Sequence, residues 1–317
     1  MKKMDITSLP QTIPIEKIKK AILNGKPEYI SGGLSKPGDI FSLDEFWKIV
    51  PDIKLNTKFP LAFQGLEQAP LAFETAAIRK AIHSGKSICV SRIDQVHKQL
   101  GQLCRLLEVA IGLPGLANCH VYYSPPGTGY SFFHVDAGVA VTLQIEGEKK
   151  WRYSQGVSIP WPLSAGGYRK DNFEWLGRSP WQPEEKEFST PKNQVIIEQK
   201  LAPGDILIIP SGVWHSACAE QSTSLSVNLR LTPFPALEGI LNSITEECVK
   251  NVHFRAPVPF VNLEEIHEDK LKIEQLEYCR TLIDEMQIVL EKIKEDDTSV
   301  ERIWRSNFPW MPDNEQK

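Results

Sequence analysis

In the stretch Phe133-His134-Val135-Asp136 an imidazole and a carboxylate stand two residues apart. On an extended strand the side-chain period is two, so His134 and Asp136 project from one face and can grip a single ion together. A third donor is needed, and His215 offers it, in Ile209-Pro210-Ser211-Gly212-Val213-Trp214-His215. Two imidazoles and one carboxylate on one side of an ion leave up to three coordination positions open, the facial arrangement suited to iron(II) that must also take a co-substrate and dioxygen. A structural zinc would close its shell with four ligands instead. An H-x-D pair also arises by chance, and an isolated histidine more often satisfies a local hydrogen bond. The surrounding sequence decides between these readings.

The elements that must carry these residues are short. From 116 to about 233 the chain runs in β-branched and aromatic segments separated by turn chemistry: Val121-Tyr122-Tyr123, then Pro125-Pro126-Gly127-Thr128-Gly129, Val139 to Ile145, Glu146-Gly147-Glu148, Gln194 to Glu198, Ala202-Pro203-Gly204-Asp205, Ile206 to Ile209 and Ser224 to Leu231. This pattern predicts a mainly β fold with flanking helices, its core an antiparallel sandwich or barrel. An insertion over about 155–193 holds Trp161, Trp175 and Trp181, and its tryptophans favour an ordered segment.

Before the core lies a mixed α/β region, 1–115. Ser42, with Glu45 three residues on, predicts a capped helix start, and Lys58 to Gly65 predicts a strand. Ile93, Val96, Leu100, Leu103, Leu107 and Ile111 predict an amphipathic helix over 92–112. After the core, 116–235, comes a helical region, 236–317. There Leu276, Cys279, Ile283, Met286, Leu290 and Ile293 alternate spacings of three and four, a heptad seam that either packs on its own domain or pairs two copies into a homodimer. The tail from Trp304 to Pro312 is expected to fold back onto the protein.

Composition narrows the function classes. The 317 residues are 41% hydrophobic and 24% charged, so the chain can bury a core and is not mainly disordered. A net charge of −4 provides no global field for a phosphate backbone, and nucleic acid is not an expected partner. No apolar run of membrane length occurs, and the six cysteines contain no CxxC pair. Both points fit a soluble cytoplasmic protein with reduced thiols and no membrane partner.

Gly147 turns the chain so that the next strand opens with Lys149, inside Gln144-Ile145-Glu146-Gly147-Glu148-Lys149. Together with the H-x-D strand and with Pro203-Gly204-Asp205 through Pro210 to Trp214-His215, this order of motifs resembles the JmjC and cupin-like branch of the iron(II)/2-oxoglutarate oxygenases. The resemblance spans about 116–232 and extends to Phe46 to Gly65. It implies a double-stranded β-helix (jelly-roll, cupin-like) core with helical N- and C-terminal regions, and iron(II), 2-oxoglutarate and dioxygen as cofactor and co-substrates. His134, Asp136 and His215 take the positions of the metal ligands. Lys149 takes that of the residue holding the far carboxylate of 2-oxoglutarate. Ser131 takes that of a hydroxyl on the same carboxylate, Tyr122 that of an aromatic lining the slot, and Asn228 that of a nearby amide. Ala140 departs from the family pattern, which often has asparagine there.

Strand parity gives Lys150 the opposite face to Lys149, and sets Ser226, Asn228 and Arg230 on one face with Val227 and Leu229 on the other. Trp151, Trp214 and Cys218 are expected in packing roles, and His83, His97, His120, His253 and His267 in surface or hydrogen-bonding roles. Asp136 supplies the carboxylate that related halogenases lack, so the resemblance implies hydroxylation of an unactivated C–H bond. A protein or peptide side chain is the expected substrate, with a free amino acid or natural-product small molecule as the alternative. A noncatalytic cupin-like binding protein is the reading from a different class.

Overall fold

The structure, a computed structural model, describes residues 13–49, 75–169, 172–179, 181–258 and 273–308. The strand expected at Lys58 to Gly65, His267 and the tail beyond residue 308 lie outside the described residues. In chain order the first elements are α1 (Ile15–Asn24), β1 (Glu28–Ile30), α2 (Leu43–Ile49), α3 (Thr75–His83), β2 (Ile88–Val90) and α4 (Lys98–Ile111). Then follow β3 (Gly115–Ser124), β4 (Gly129–Val135), β5 (Val139–Glu146), β6 (Lys149–Val157), β7 (Gly166–Arg169), β8 (Asn172–Trp175), β9 (Ile196–Leu201), β10 (Ile206–Ile209), β11 (Val213–Cys218) and β12 (Ser224–Pro233).

The strands form two six-stranded antiparallel sheets, in the orders β1-β10-β5-β12-β3-β2 and β8-β7-β4-β11-β6-β9, the double-sheet arrangement of a jelly roll. Alternation along β12 shows how sequence sets the layers. Leu225, Val227, Leu229 and Leu231 join the core that Leu100, Leu103 and Leu107 of α4 complete, while Ser226, Asn228 and Arg230 line a cavity. Each buried leucine or valine is worth about 2 kcal/mol. A one-residue slip would send all four into the cavity, so the register is strongly specified. A second cluster contains Ala140, Trp151, Leu207, Ile209 and Val213. A third joins Val135 and Trp214 to Phe133 and, from the insertion, Tyr168, Phe173, Trp175 and Phe188.

Ser42 caps α2 as its sequence implies: its Oγ accepts from the Glu45 N–H at 3.2 Å and donates to Glu45 Oε2 at 2.9 Å. The helix expected over 92–112 starts later. Ile93–Gln95 form a 3-10 turn, and the His97 ring caps α4 by accepting from the Leu100 N–H at 3.2 Å. Asp94 holds that turn through a 2.7 Å bond from the Cys119 N–H, and Val96 is left exposed rather than on the seam.

One compact unit runs Met1–Pro233; a second runs Phe234–Lys317 and contains α5 (Ala236–Cys248), α6 (Val252–Arg255), α7 (Ile273–Glu295) and α8 (Asp297–Ser306). On α7 only Ile293 of the heptad seam is buried, whereas Cys279, Ile283, Met286 and Leu290 are exposed or nearly so. Among the described residues no helix is long and apolar enough to cross a membrane.

The Pro203-Gly204-Asp205 turn locks β10 beside β1. Gly204 has φ +94°, and a Cβ there would lie 2.8 Å from the Leu34 carbonyl oxygen. The buried Asp205 carboxylate accepts from Tyr29 O–H (2.9 Å), Gly32 N–H (2.8 Å) and Ala202 N–H (2.9 Å). Asp205→Ala orphans three donors and should destabilise the first unit by about 3 kcal/mol in denaturant unfolding; a loss within experimental error would show that these bonds form equally well with water.

Candidate functional site

A cavity of about 650 Å³ opens within the first unit, its walls drawn from β2, β3, β4, β5, β6, β11 and β12. Tyr130, Phe132 and His134 share the inward face of β4, with the Tyr130 and His134 rings 4.3 Å apart. β11 lies antiparallel to β4 with His215 in register opposite His134, and the two imidazoles sit with centroids 4.1 Å apart. Asp136 lies one residue past the end of β4 rather than on the strand. Its backbone oxygen accepts from the Gly212 N–H at 3.0 Å, which ties the turn after β4 to the turn before β11. One potential donor atom from each of His134, Asp136 and His215 lies within 4.8 Å of the others.

The hydrogen bonds choose which atoms face inward. His134 Nδ1 meets the Phe132 carbonyl at 3.2 Å and His215 Nδ1 meets that of Val213 at 2.9 Å. A carbonyl only accepts, so both Nδ1 atoms carry the proton and both Nε2 lone pairs remain for an ion. Burial pushes both imidazoles down, His134 to about 3, and keeps them neutral. Burial pushes the Asp136 carboxyl up, but the charged Arg230 guanidinium outweighs it and holds the group below the usual carboxylate range. Two neutral nitrogens and one carboxylate oxygen are the donor set of a facial site for a divalent transition metal. The hairpin β7–β8 backs this strand closely: a Cβ at Gly167 would fall 3.0 Å from His134 Cβ.

Lys149 enters the same cavity from β6 and is 4% exposed. Its Nζ donates to Ser124 Oγ at 3.1 Å and sits 5.3 Å from the Tyr122 ring centroid; among the described residues it has no carboxylate partner. Burial pulls this ammonium down to about 8. Lys150 points the other way, toward Glu198 at 2.9 Å and Glu220 at 3.7 Å. Tyr122, Asn228 and Ser131 all line the cavity, Ser131 at an exposed position of opposite parity to Tyr130 and Phe132. The hydroxyl that Lys149 meets directly is that of Ser124, at the end of β3, rather than that of Ser131. Thr142 Oγ1, Ser226 Oγ, Asn228 Oδ1 and Trp151 Nε1 are buried in this wall without a partner. Buried polar atoms are costly to leave unpaired, so these four mark a slot shaped for a polar ligand.

Four further residues line the cavity; strand parity already sets Arg230 on the polar face of β12, and sequence reasoning passed over Cys89. Trp151 packs in the second cluster as expected and also lines the cavity, its ring 6.1 Å from that of His215. Arg230 reaches Asp136 Oδ1 at 3.2 Å. His120 bonds Asn118 Oδ1 through Nε2 at 2.8 Å, while its Nδ1 is 3.9 Å from Cys89 Sγ. Burial brings the His120 imidazole down to about 4. Parity with Tyr122 along β3 was the signal for His120, and pairing of Cys89 with Tyr122 across β2–β3 could not be read without the register. Trp214 packs as expected, fully buried, its Nε1–H donating to the Ser189 carbonyl at 2.8 Å.

Residues 94–237 match the model of the JmjC domain. The Bacillus subtilis (strain 168) protein YxbC, described as uncharacterized, is 28% identical over 196 residues, covering 60% of this chain and 55% of its own length. A bifunctional lysine-specific demethylase and histidyl-hydroxylase, NO66 of Drosophila willistoni, is 28% identical over 153 residues, covering 45% of this chain and 18% of its own. The chain thus spans about half the length of the first relative and less than a fifth of the second. Among solved structures, YcfD, a ribosomal oxygenase from Escherichia coli, in complex with cobalt and 2-oxoglutarate superposes with a TM-score of 0.51 at 15% identity, over 94% of this chain and 71% of that one. At this identity the likeness concerns the fold.

His134→Ala and Asp136→Ala should each weaken cobalt(II) binding about 100-fold or more while leaving the thermal melt of the protein intact. Anaerobic calorimetry checks this, and an affinity equal to wild type would remove the altered residue from the ligand set.

Proposed function

We propose that this chain, whose residues 94–237 match the JmjC domain model, is an iron(II)- and 2-oxoglutarate-dependent dioxygenase that hydroxylates an unactivated C–H bond on a protein or peptide side chain. The carrying observation is that His134, Asp136 and His215 meet within one cavity that Lys149 also enters. The residues fit the group: the two Nε2 lone pairs and one carboxylate oxygen supply three donors, and the unpartnered wall hydroxyls of Thr142 and Ser226 supply hydrogen bonds for a polar co-substrate. Bound iron with 2-oxoglutarate supplies oxidation of a C–H bond by dioxygen, with succinate and carbon dioxide as by-products.

The chain's own share is placement and exclusion of water. Lys149 anchors the far carboxylate, with Ser124 steering the ammonium and Tyr122 walling the slot. Asn228 faces the middle of the slot. Tyr130 and Phe132 flank His134 on the apolar side where the target carbon must come. A polypeptide substrate is supported by the hydroxylase and ribosomal-oxygenase names of the relatives and by exposed Trp161, Leu163, Leu176 and Trp181 on the insertion, of which Leu176 also lines the cavity. Six free cysteines suit a reducing, cytoplasmic setting. The exposed seam of α7 suits pairing with a second copy.

Iron(II), 2-oxoglutarate and a peptide library from a cell proteome should yield succinate together with peptides that gain one oxygen atom. Oxygen gain only on free amino acids or other small molecules would transfer the reading to the small-molecule alternative, and no succinate above the Asp136→Ala background would end it. Lys149→Ala should weaken 2-oxoglutarate binding about 30-fold or more, and Lys150→Ala should leave it unchanged; equal effects would place the anchor elsewhere. Only the ammonium form of Lys149 holds a carboxylate, and the free amine takes over as pH rises. Affinity for 2-oxoglutarate should therefore be full below about pH 8 and fall above it, a decline that Lys149→Ala abolishes. Ile283→Asp combined with Leu290→Asp should halve the solution mass if the α7 seam joins two copies; an unchanged mass would assign the seam to its own unit.

A further inference from the structure

Asp136 offers two carboxylate oxygens, and they face different partners. Oδ1 lies 3.2 Å from Arg230 Nη2, whereas Oδ2 lies 3.7 Å from His215 Nε2, on the side where the ligand atoms converge. The backbone of the segment is pinned as well, by the bond from Gly212 N–H to the Asp136 carbonyl and by the 2.9 Å bond from Ser211 Oγ to the Ala137 carbonyl. What remains free is rotation of the carboxylate, and the guanidinium removes that freedom.

Room for the arginine is made on the neighbouring strand and the turn before it. A Cβ at Gly138 would come within 3.3 Å of both Cγ and Nε of Arg230, and its register partner on β5 is the small Ala140. An asparagine at 140, the residue expected from the family pattern, would compete for this space. The substitution and the arginine thus read as one arrangement.

We propose that Arg230 is a positioning residue that occupies Asp136 Oδ1, confines Asp136 to a single bond to the metal, and so keeps one coordination position open for the co-substrate. A carboxylate left alone can chelate a cation through both oxygens. In a three-ligand site the second oxygen would consume a position that the co-substrate or dioxygen requires. The guanidinium also brings a like charge close to the divalent ion, which lowers metal affinity. Arg230 therefore trades tightness of metal binding for coordination space, and its removal should move the two in opposite directions.

This inference rests on the iron/2-oxoglutarate reading, and anaerobic titrations separate the two. Iron(II) plus 2-oxoglutarate should give wild-type protein a visible metal-to-ligand charge-transfer band; its absence would sink the underlying reading. With that band present, Arg230→Gln should bind cobalt(II) about tenfold tighter, bind 2-oxoglutarate about tenfold weaker, and show a diminished band. Arg230→Met, which keeps the arm's bulk between Gly138 and Ala140, should do the same and serves if the glutamine variant does not fold. Arg230→Lys should restore the band by returning a cation to Oδ1. Weakening of both metal and 2-oxoglutarate binding would reduce Arg230 to a structural role. Wild-type affinities and band in the variants would overturn the proposal outright.

Discussion

The antiparallel pairing of β11 with β4, with His215 opposite His134, is the constraint on which the site depends. Cross-strand pairs are the closest contacts that a sheet can arrange between residues remote in sequence. Here the pair joins two halves of a donor set, and the bond from Gly212 N–H to the Asp136 carbonyl extends the same alignment to the third member. β11 shifts register against both β4 and β6 around His215. Such irregularities re-aim a side chain locally without giving up the sheet on either side. Gly167, pressed against His134 from β7, prevents the ligand strand from moving outward.

Burial then sets the charge on every group the strands bring together. The His134 and His215 imidazoles are held neutral, the Asp136 carboxyl stays ionised because Arg230 outweighs its desolvation, and Lys149 keeps a proton that burial makes easier to lose. Under the proposed function, an ion and a dicarboxylate enter a cavity whose protonation states already suit them, so little rearrangement accompanies binding. The four unpartnered polar atoms of the wall belong to the same logic, since their unmet hydrogen bonds are stability withheld until a ligand arrives.

Much of this could be read from the chain alone, because period-two alternation translates directly into faces. The two faces of β12, the divergence of Lys149 and Lys150, and the turn at Gly204 all follow from local rules. What could not be read depended on which strands become neighbours. Ser131 stood near His134 in sequence, but the hydroxyl that meets Lys149 comes from the end of β3. Trp151 shares the parity of Lys149, and only the placement of β6 beside β11 brings its ring, packed in the second cluster, next to that of His215. Asp136 illustrates the reverse case: the H-x-D spacing implied a strand face, and the carboxylate reaches the same place from the turn just beyond it. The late start of α4 had a tertiary cause, the bond from Cys119 N–H to Asp94.

The insertion does two jobs with separate sets of residues. Tyr168, Phe173 and Phe188 place their rings within 5.5 to 6.0 Å of Trp214, the residue immediately before His215, whereas Trp161 and Trp181 face solvent. The aromatic cluster therefore acts as a foundation for the ligand strand, and the outward tryptophans are free to change without disturbing it. Side chains on the outer surface of the hairpin region can consequently be exchanged independently of those that support His215. Trimming the segment as a whole would widen the entrance and loosen the histidine behind it at once.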